Sequence, residues 1–301
     1  MSNNVSASTI NELFLQKLNS EDGLQKVAQE GSAFIRQKLR EVSFARKIMN
    51  PQYVTKADLQ RSVNHDGLVK IVDIEPDSKA MAVNFRGESD WNYVTGDRFE
   101  IPFYMISSED FQKTEEELLA YDMPLTEVIE KNSVLDIQKI EDSKFITAAA
   151  AASTAASNDV TGGDDSGKIS KTKLKTTFDK LDANSLRSET ILMSSTTFNR
   201  LFLYDSTTVG DAVGSEVSVN GYTYSTLFGR KLVVTNKADL LGGASEKMYV
   251  FAGQDFLGQF NILNDVKFWI EKKKNIISWA AYESIGMGIG NQKAVASLTM
   301  A

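Results

Sequence analysis

Residues 124–152 read PLTEVIEKNSVLDIQKIEDSKFITAAAAA, with no glycine and no proline after the first residue. Proline is tolerated in the first turn of a helix, where its missing N–H would have no partner, and the run ends in strong helix formers. The stretch therefore predicts one helix of about seven turns. Its apolar residues predict two inward stripes, one of Leu125, Val128, Ile129 and Leu135 and one of Ile137, Ile140 and Phe145.

Two different hydrophobic periods precede this helix. Between residues 8 and 48 apolar residues recur at helical spacing and stop before Asn50-Pro51, which predicts an amphipathic N-terminal arm of two helices. From residue 66 to 105 the period is two, as in Met81, Val83 and Phe85. This alternation predicts a long antiparallel hairpin, with strands at 67–75, 80–86 and 99–105.

A change in composition follows the helix. Residues 153–167 are rich in Ser, Ala, Gly and Asp, which is typical of a linker between domains. Beyond it, helices are predicted at 169–181 and 196–204, and strands at 190–193, 222–227, 229–235, 247–252, 266–271, 276–282 and 284–289, before a polar end. The overall class is α+β with mixed sheets.

The composition excludes several kinds of chemistry. The 301 residues contain no Cys and one His, His65, so disulfides, thiolate metal sites and His-rich centres are excluded. The hydrophobic and charged fractions are those of a soluble globular chain of about two domains. No stretch approaches the roughly 18 apolar residues of a membrane span, and the N-terminus lacks a signal-peptide pattern. We therefore expect synthesis and assembly in a cytoplasm.

The net charge of −7 is unevenly distributed. Residues 107–142 carry eleven acids against three lysines, a band of −8, whereas the segment from Arg36 to Lys47 carries +4. The two segments either attract each other between copies or are simply solvated surfaces, and charge alone leaves both interpretations open. A chain this acidic is poorly suited to wrapping nucleic acid, whose binding depends on neutralising phosphates.

Motifs for catalysis are missing. His65 adjoins Asp66, but sequence neighbours do not supply the geometry of nucleophile, base and orienting group, so we interpret His65 as part of a surface turn. Gly286, Gly288 and Gly290 resemble a dinucleotide fingerprint, but no helix pattern follows, and they indicate a strand closely approached by packed backbone. No catalytic, cofactor-binding or metal-ligating residue is predicted, and we do not expect an enzyme.

The order of these parts, together with three local stretches, resembles a known family. Glu189–Leu201 looks like a strand followed by a short helix, Leu227–Thr235 like a Gly-led strand, and Met248–Phe256 like a strand ending in a Gly–Asp–Phe turn. Arm, hairpin, acidic connector, long helix, linker and α+β lobe in this order are similar to the major capsid protein of tailed bacteriophages (Caudoviricetes), of the Hong Kong 97 type.

That resemblance implies a Hong Kong 97-like fold in four parts. They are an N-terminal arm (1–54), an extended β-hairpin loop (55–105), a peripheral domain (106–157 and 246–301) with a long spine helix, and an axial domain (158–245). It implies a structural virion protein, assembled in the host cytoplasm, whose pentamers and hexamers form an icosahedral shell around double-stranded DNA without sequence-specific binding. It also implies a portal and, because helices begin close to Met1, a separate scaffolding protein; decoration proteins remain open.

In this family the arm and the extended loop lie across neighbouring subunits. The contact candidates are basic residues of the arm, acids of the connector and apolar residues of the hairpin: Arg36, Lys38, Arg40, Arg46, Lys47, Glu115, Glu116, Glu117, Met81, Val83 and Phe85. Some members also form Lys–Asn cross-links, for which Lys70 or Lys79 with Asn264 or Asn275 are chemically suitable. The sequence shows neither the buried lysine nor the carboxylate that this reaction needs.

Two alternatives to a phage capsid remain. An encapsulin nanocompartment shell shares the fold but encloses cargo enzymes, so particle contents distinguish the two. A soluble α+β enzyme or ligand-binding protein predicts a small oligomer with a deep polar pocket, whereas a shell protein predicts large closed assemblies.

Overall fold

The structure is a computed structural model that describes residues 43–62, 66–74, 80–88, 91, 93, 96–120, 125–203, 226–243 and 245–300. Its helices are α1 (Ala45–Ile48), α2 (Glu115–Leu119), α3 (Leu125–Ala155), α4 (Lys171–Asp182), α5 (Ser195–Asn199) and α6 (Gln254–Leu257). Its strands are β1 (Pro51–Tyr53), β2 (Gln60–Arg61), β3 (Leu68–Asp73), β4 (Arg98–Ser107), β5 (Phe111–Thr114), β6 (Asp159–Val160), β7 (Asp164–Asp165), β8 (Lys168–Ile169), β9 (Ser188–Ser194), β10 (Thr226–Leu227), β11 (Arg230–Thr235), β12 (Lys247–Ala252), β13 (Gly258–Lys273), β14 (Ile276–Ile289) and β15 (Val295–Thr299).

Helix α3 confirms the predicted long helix, and it continues to Ala155. The predicted stripes are only partly right, because Leu135 is 56% exposed and Ile140 is 40% exposed. The buried face instead combines apolar residues such as Ile137 with the polar residues Glu141 and Asp142. A helix that buries carboxylates needs partners for them, and these partners define the site described below.

The described strands form two main sheets. In sheet A the order is β1-β13-β14-β4-β3-β2, and β5 pairs with β14 near the start of that strand. The centre of sheet A is the long antiparallel pair β13 and β14, in which the two strands predicted at 276–282 and 284–289 are one. Pro51 opens β1 at the edge of the sheet, where a missing N–H leaves no ladder bond unmade.

The extended hairpin differs from the sequence expectation. Strand β3 confirms the predicted first strand, but its partner is β4, in a register that places Val72 opposite Phe99. The predicted strand at 80–86 is wrong, because its residues lie in no ladder and Phe85 is in a turn. Alternation alone does not make a strand when no neighbouring strand offers backbone partners.

Gly286 and Gly288 lie in β14, as predicted, and Gly290 follows directly after its end, but side chains rather than backbone approach all three. A Cβ on Gly286 would lie 2.7 Å from the ring of Phe103. A Cβ on Gly290 would lie 2.6 Å from the ring of Phe99. Apolar side chains of β4 therefore cover the glycine positions, which fixes the root of the hairpin on sheet A.

Sheet B has the strand order β10-β11-β9-β12-β15-β6. The polar end predicted for the chain is wrong, because β15 is almost entirely buried and lies between β12 and β6. The predicted linker is also structured, since β6 within it pairs with β15. Sheet B combines strands from the expected axial part, such as β9, with strands from the expected peripheral part, such as β12.

Two hydrophobic cores account for these patterns. The first joins α1, α3 and sheet A to one face of sheet B, through residues such as Phe145, Phe251 and Trp279. The second lies on the other face of sheet B, under α4 and α5, with Leu181 and Phe198. Sheet B is thus buried on both faces, which explains the apolar runs 191–193 in β9 and 248–252 in β12.

Candidate functional site

Residues 43–49, which we call the arm root, pack into the first core beside α3. Phe44, Ala45, Ile48 and Met49 are all buried. The ring of Phe44 meets that of Phe145 edge-on, with centroids 6.2 Å apart. The arm root contains the C-terminal end of the predicted amphipathic arm, and its apolar side chains are buried within the same protomer, whereas the rest of that arm lies outside the described residues.

Arg46 is the charged centre of the arm root. Its Nε donates to both carboxylate oxygens of Glu141, at 3.1 and 3.2 Å, and its Nη2 donates to Glu283. The guanidinium also lies 5.4 Å from the centroid of the Phe260 ring. The prediction that Arg46 contacts a neighbouring subunit is therefore corrected, because its side chain is 3% exposed and its partners belong to the same chain.

A second ion pair lies beside the first. Asp142 accepts from Lys237 Nζ at 2.6 Å, from Ser43 Oγ at 3.0 Å and from the backbone N–H of Ala45 at 3.1 Å. Ser43 also donates to Glu141 at 2.7 Å. Consecutive carboxylates on α3 thus hold the arm root through both its side chains and its backbone.

Burial changes the pKa values of the acidic groups in this cluster. It raises the pKa values of Glu141 and Asp142, although Arg46 and Lys237 respectively oppose the rise. It raises the pKa of Glu283 to about 8, where Arg46 opposes the rise and the charge of Glu141 adds to it. It also raises the pKa of the Tyr104 hydroxyl to about 12.

Three of these cluster residues escaped the sequence analysis: Ser43, Lys237 and Glu283. A signal existed for Glu283, because the inward positions of β14 otherwise hold apolar residues such as Ala281 and Ile285. One acid in the inward phase of a buried strand indicates a buried partner. Ser43 and Lys237 carry no comparable signal in the sequence.

The remaining predicted acids lie on a different surface. Strand β5 leads into α2, where Thr114 and Glu117 form a reciprocal capping box. Glu115 forms an ion pair with Lys272 of β13, while Glu116 and Glu117 are exposed. The acidic band is therefore two unlike groups, of which one is buried beneath the arm root and one faces solvent.

The hairpin residues are exposed in the protomer. Met81 and Val83 are about half exposed, and Phe85 is fully exposed. Trp91 and Tyr93, which the sequence analysis missed, are each 94% exposed. Large apolar side chains this close together in the sequence are unusual on a free surface and typical of an interface.

Several other candidates can now be placed. Lys47 is exposed beside the buried Arg46. Arg36, Lys38, Arg40, His65 and Lys79 lie outside the described residues. Lys70 Nζ donates to Asn261 Oδ1 at 2.9 Å, a partner different from the asparagines suggested by the sequence.

Neither a metal site nor a membrane span is found in the described ranges. No group of three or more His, Cys, Asp or Glu side chains there is arranged to hold a metal ion. The longest helix there, α3, is too highly charged to cross a membrane, and no other helix in those ranges qualifies.

Solved structures share this fold over most of their length. A structure from Microbacterium phage Oxtober96 matches 86% of this chain and 91% of its own, at 11% identity and a TM-score of 0.62. The capsid of a native GTA particle matches over 85% and 89%, at 13% identity and 0.58. The mature capsid of bacteriophage PhiM1 matches over 85% and 86%, at 9% identity and 0.58.

Neither a family model nor a curated protein sequence matches the chain. The likeness is therefore one of fold. The capsid fold of tailed phages, predicted from the order of the sequence elements, is confirmed.

Proposed function

We propose that this chain is the major capsid protein of a tailed bacteriophage. Copies of it would form the pentamers and hexamers of an icosahedral shell that encloses double-stranded DNA without reading its sequence. The observation that carries the proposal is that about nine tenths of the Microbacterium phage Oxtober96 structure and of the GTA capsid chain match this one chain. Neither an encapsulin nor a soluble enzyme is favoured by any feature of the molecule, and we propose no enzymatic activity.

The exposed hairpin supports assembly with further copies. We assign Met81, Val83 and Phe85 to a contact with a neighbouring subunit, and we add Trp91 and Tyr93. Burying one large apolar side chain contributes about 1.5–3 kcal/mol, so these side chains together could stabilise a contact between subunits. The protomer leaves that contribution unused, since all five side chains are about half exposed or more.

The second proposed contact between subunits is electrostatic. Arg36, Lys38 and Arg40, with the exposed Lys47, would approach the acids of α2 on a neighbour, namely the exposed Glu116 and Glu117 and the partly buried Glu115, which already pairs with Lys272. The structure narrows this proposal, because Glu141 and Asp142 already have partners within their own chain. The remaining exposed pairs would guide association more than they would strengthen it.

The four-part division remains part of the proposal: arm 1–54, extended loop 55–105, peripheral domain 106–157 and 246–301, and axial domain 158–245. Assembly would take place in the host cytoplasm, with a separate scaffolding protein and a portal. Decoration proteins would bind, if at all, to the finished shell. No membrane and no cofactor enters this proposal.

Electron microscopy of the full-length protein tests the shell. We expect closed particles of uniform diameter in negative stain, either from expression of the chain alone or from its expression together with a scaffolding protein. Particles purified from infected cells should contain DNA. A discrete small oligomer under all of these conditions would refute the shell, and particles filled with protein cargo would point to the encapsulin class.

Charge reversal tests the electrostatic contact. Replacing Arg36, Lys38 and Arg40 together by Glu should lower the yield of particles at low salt, because like charges would then face each other. The matched control reverses Lys171, Lys173 and Lys175, three exposed residues of α4, and changes the net charge equally. Normal assembly of the first variant at both low and high salt, or equal loss in both variants, would rule out this contact.

A further inference from the structure

The cluster around Arg46 has more acids than bases. Its buried carboxylates are Glu141, Asp142 and Glu283, and its cations are Arg46 and Lys237. Lys237 pairs with Asp142, so Glu141 and Glu283 share the single guanidinium of Arg46. Among the described residues, one negative charge is therefore left without a cation, and the two carboxylates that share Arg46 are fully buried.

In the described part of the chain, the surroundings of Glu283 offer no second cation. The titratable and charged groups that act on it are Arg46 from the arm root, Glu141 from α3, Tyr104 from β4 and Asp265 from β13, and next to these groups lie Asp142, Lys144 and Lys237. Lys237 is bound to Asp142, and Lys144 lies over the Tyr104 ring, 5.6 Å from its centroid. Among the described side chains, Arg46 is the hydrogen-bond donor that reaches Glu283.

Three buried polar atoms in this site lack a partner within the described part of the chain. They are Arg46 Nη1, Glu283 Oε2 and the hydroxyl of Tyr104. A carboxylate with one unpartnered oxygen, beside another carboxylate and away from water, is the expected location for a bound proton. One bound proton would therefore balance the charge of the cluster.

We propose that Glu283 holds this proton at neutral pH and that its release to solvent loosens the arm root, so that the cluster is a proton-operated latch. No covalent bond in the chain changes. Once Glu283 is ionised, Arg46 must balance two buried carboxylates, and water that enters as the arm root moves away solvates both of them. Lys47 is already exposed there. The latch belongs to the single protomer and does not depend on the proposed shell function.

The direction of the pH response follows from the raised pKa of Glu283, about 8 against an ordinary value of 4.5. A group whose pKa is raised by folding contributes stability that is complete below its unfolded pKa. This contribution is lost as the pH rises through the folded pKa. The latch should therefore be most stable near pH 4.5 and should weaken as the pH rises to about 8.

Hydrogen exchange in the full-length protein tests the latch. The amides of Lys47, Ile48 and Met49 donate to backbone oxygens of the arm root, at 2.9–3.1 Å, so they report on its closure. We compare the wild type with Glu283→Gln, a neutral isostere, at each pH. The ratio of their exchange rates cancels both the chemical pH dependence of exchange and the titration of His65.

We expect the ratio of wild type to Glu283→Gln to rise between pH 6 and pH 8, by at most about tenfold per pH unit, and to level off above the folded pKa, as the population of the open state grows. Glu246→Gln is the control, because Glu246 pairs with Arg200 next to sheet B and should respond as the wild type does. A ratio that stays constant from pH 6 to pH 9 would overturn the proposal. If Glu283→Gln does not fold, the variant Glu141→Gln is used instead. In that variant Arg46 pairs with Glu283 alone. Persistence of the wild-type pH response in that variant would equally overturn the latch.

Discussion

The arm root and the hairpin segment 80–93 differ in whether the protomer buries their large apolar side chains. Both carry large apolar side chains in segments that the sequence assigns to contacts with neighbours. The arm root buries Phe44, Ile48 and Met49 in its own protomer, and it pairs its buried charge there. The hairpin segment leaves Phe85 and Trp91 exposed.

The difference separates two sources of stability. Residues of the arm root stabilise the protomer before any assembly takes place, so their substitution should unfold it. Residues of the hairpin segment stabilise nothing in the protomer, so their substitution should be visible only when copies associate. The following experiments examine this separation.

The largest effect on protomer stability is expected for Arg46→Ala. The substitution leaves Glu141 and Glu283 buried without their cation, which costs about 3–5 kcal/mol. Urea unfolding followed by circular dichroism measures this loss. Arg98→Ala is the control, because its pair with Asp73 is mostly exposed and should contribute no more than about 1 kcal/mol. Equal losses in the two variants would mean that the arm root is not anchored by its buried charge.

The next effect is a decline of protomer stability with rising pH. Because folding raises the pKa of Glu283 from 4.5 to about 8, the free energy of unfolding should fall between those values. The slope for one proton is at most about 1.4 kcal/mol per pH unit. Urea midpoints at several pH values measure the fall. They should fall less steeply in Glu283→Gln, and parallel curves for both proteins would contradict this source of the pH dependence.

A smaller effect is expected at the root of the hairpin, which belongs to the folded body although the hairpin segment does not. In Gly286→Ala the new Cβ would lie 2.7 Å from the Phe103 ring, which must shift. Overpacking of this kind costs about 1–3 kcal/mol. Gly67→Ala is the matched control, since a Cβ there meets no atom within 4 Å. Thermal unfolding of the two variants should differ clearly, and coinciding curves would show that β4 does not cover the glycines.

The smallest effect on the protomer is expected for Phe85→Ser. An exposed side chain makes few contacts, so the free energy of unfolding should change by less than about 0.5 kcal/mol. The yield of closed particles should nevertheless fall, and Phe85→Leu, which keeps an apolar side chain, should restore it. A destabilised protomer would show that the hairpin segment is already packed against its own chain.

Much of the fold could be predicted because local patterns coincide with tertiary burial. α3 has no breaker along its length, and β12 was located to the residue, since its apolar run is bounded by polar segments on both sides. The wrong predictions concern which strands pair. A hydrophobic period of two shows which side chains share a face of a strand, but it does not show that β3 pairs with β4 rather than with residues 80–86.

The site was harder to predict than the fold. The opposite charges of the arm segment and the acidic band indicated that the two could attract each other, but they could not distinguish a contact within one chain from a contact between two. That distinction depends on β14 bringing Glu283 to Arg46, and the two residues are far apart in the sequence. The strand β15 was missed for a related reason, because its small and hydroxylated residues read as polar while sheet B buries them.

The position of β15 also has a consequence for biosynthesis. Sheet B cannot close until residues 295–299 have left the ribosome, because β15 is inserted between β12 and β6. The hairpin segment is synthesised long before, so its apolar side chains emerge on a nascent chain whose body is still incomplete. Completion of the protomer is thus postponed to the last stage of translation. A polysome holds many such nascent chains close together. Chaperone binding during synthesis would prevent their exposed apolar segments from associating.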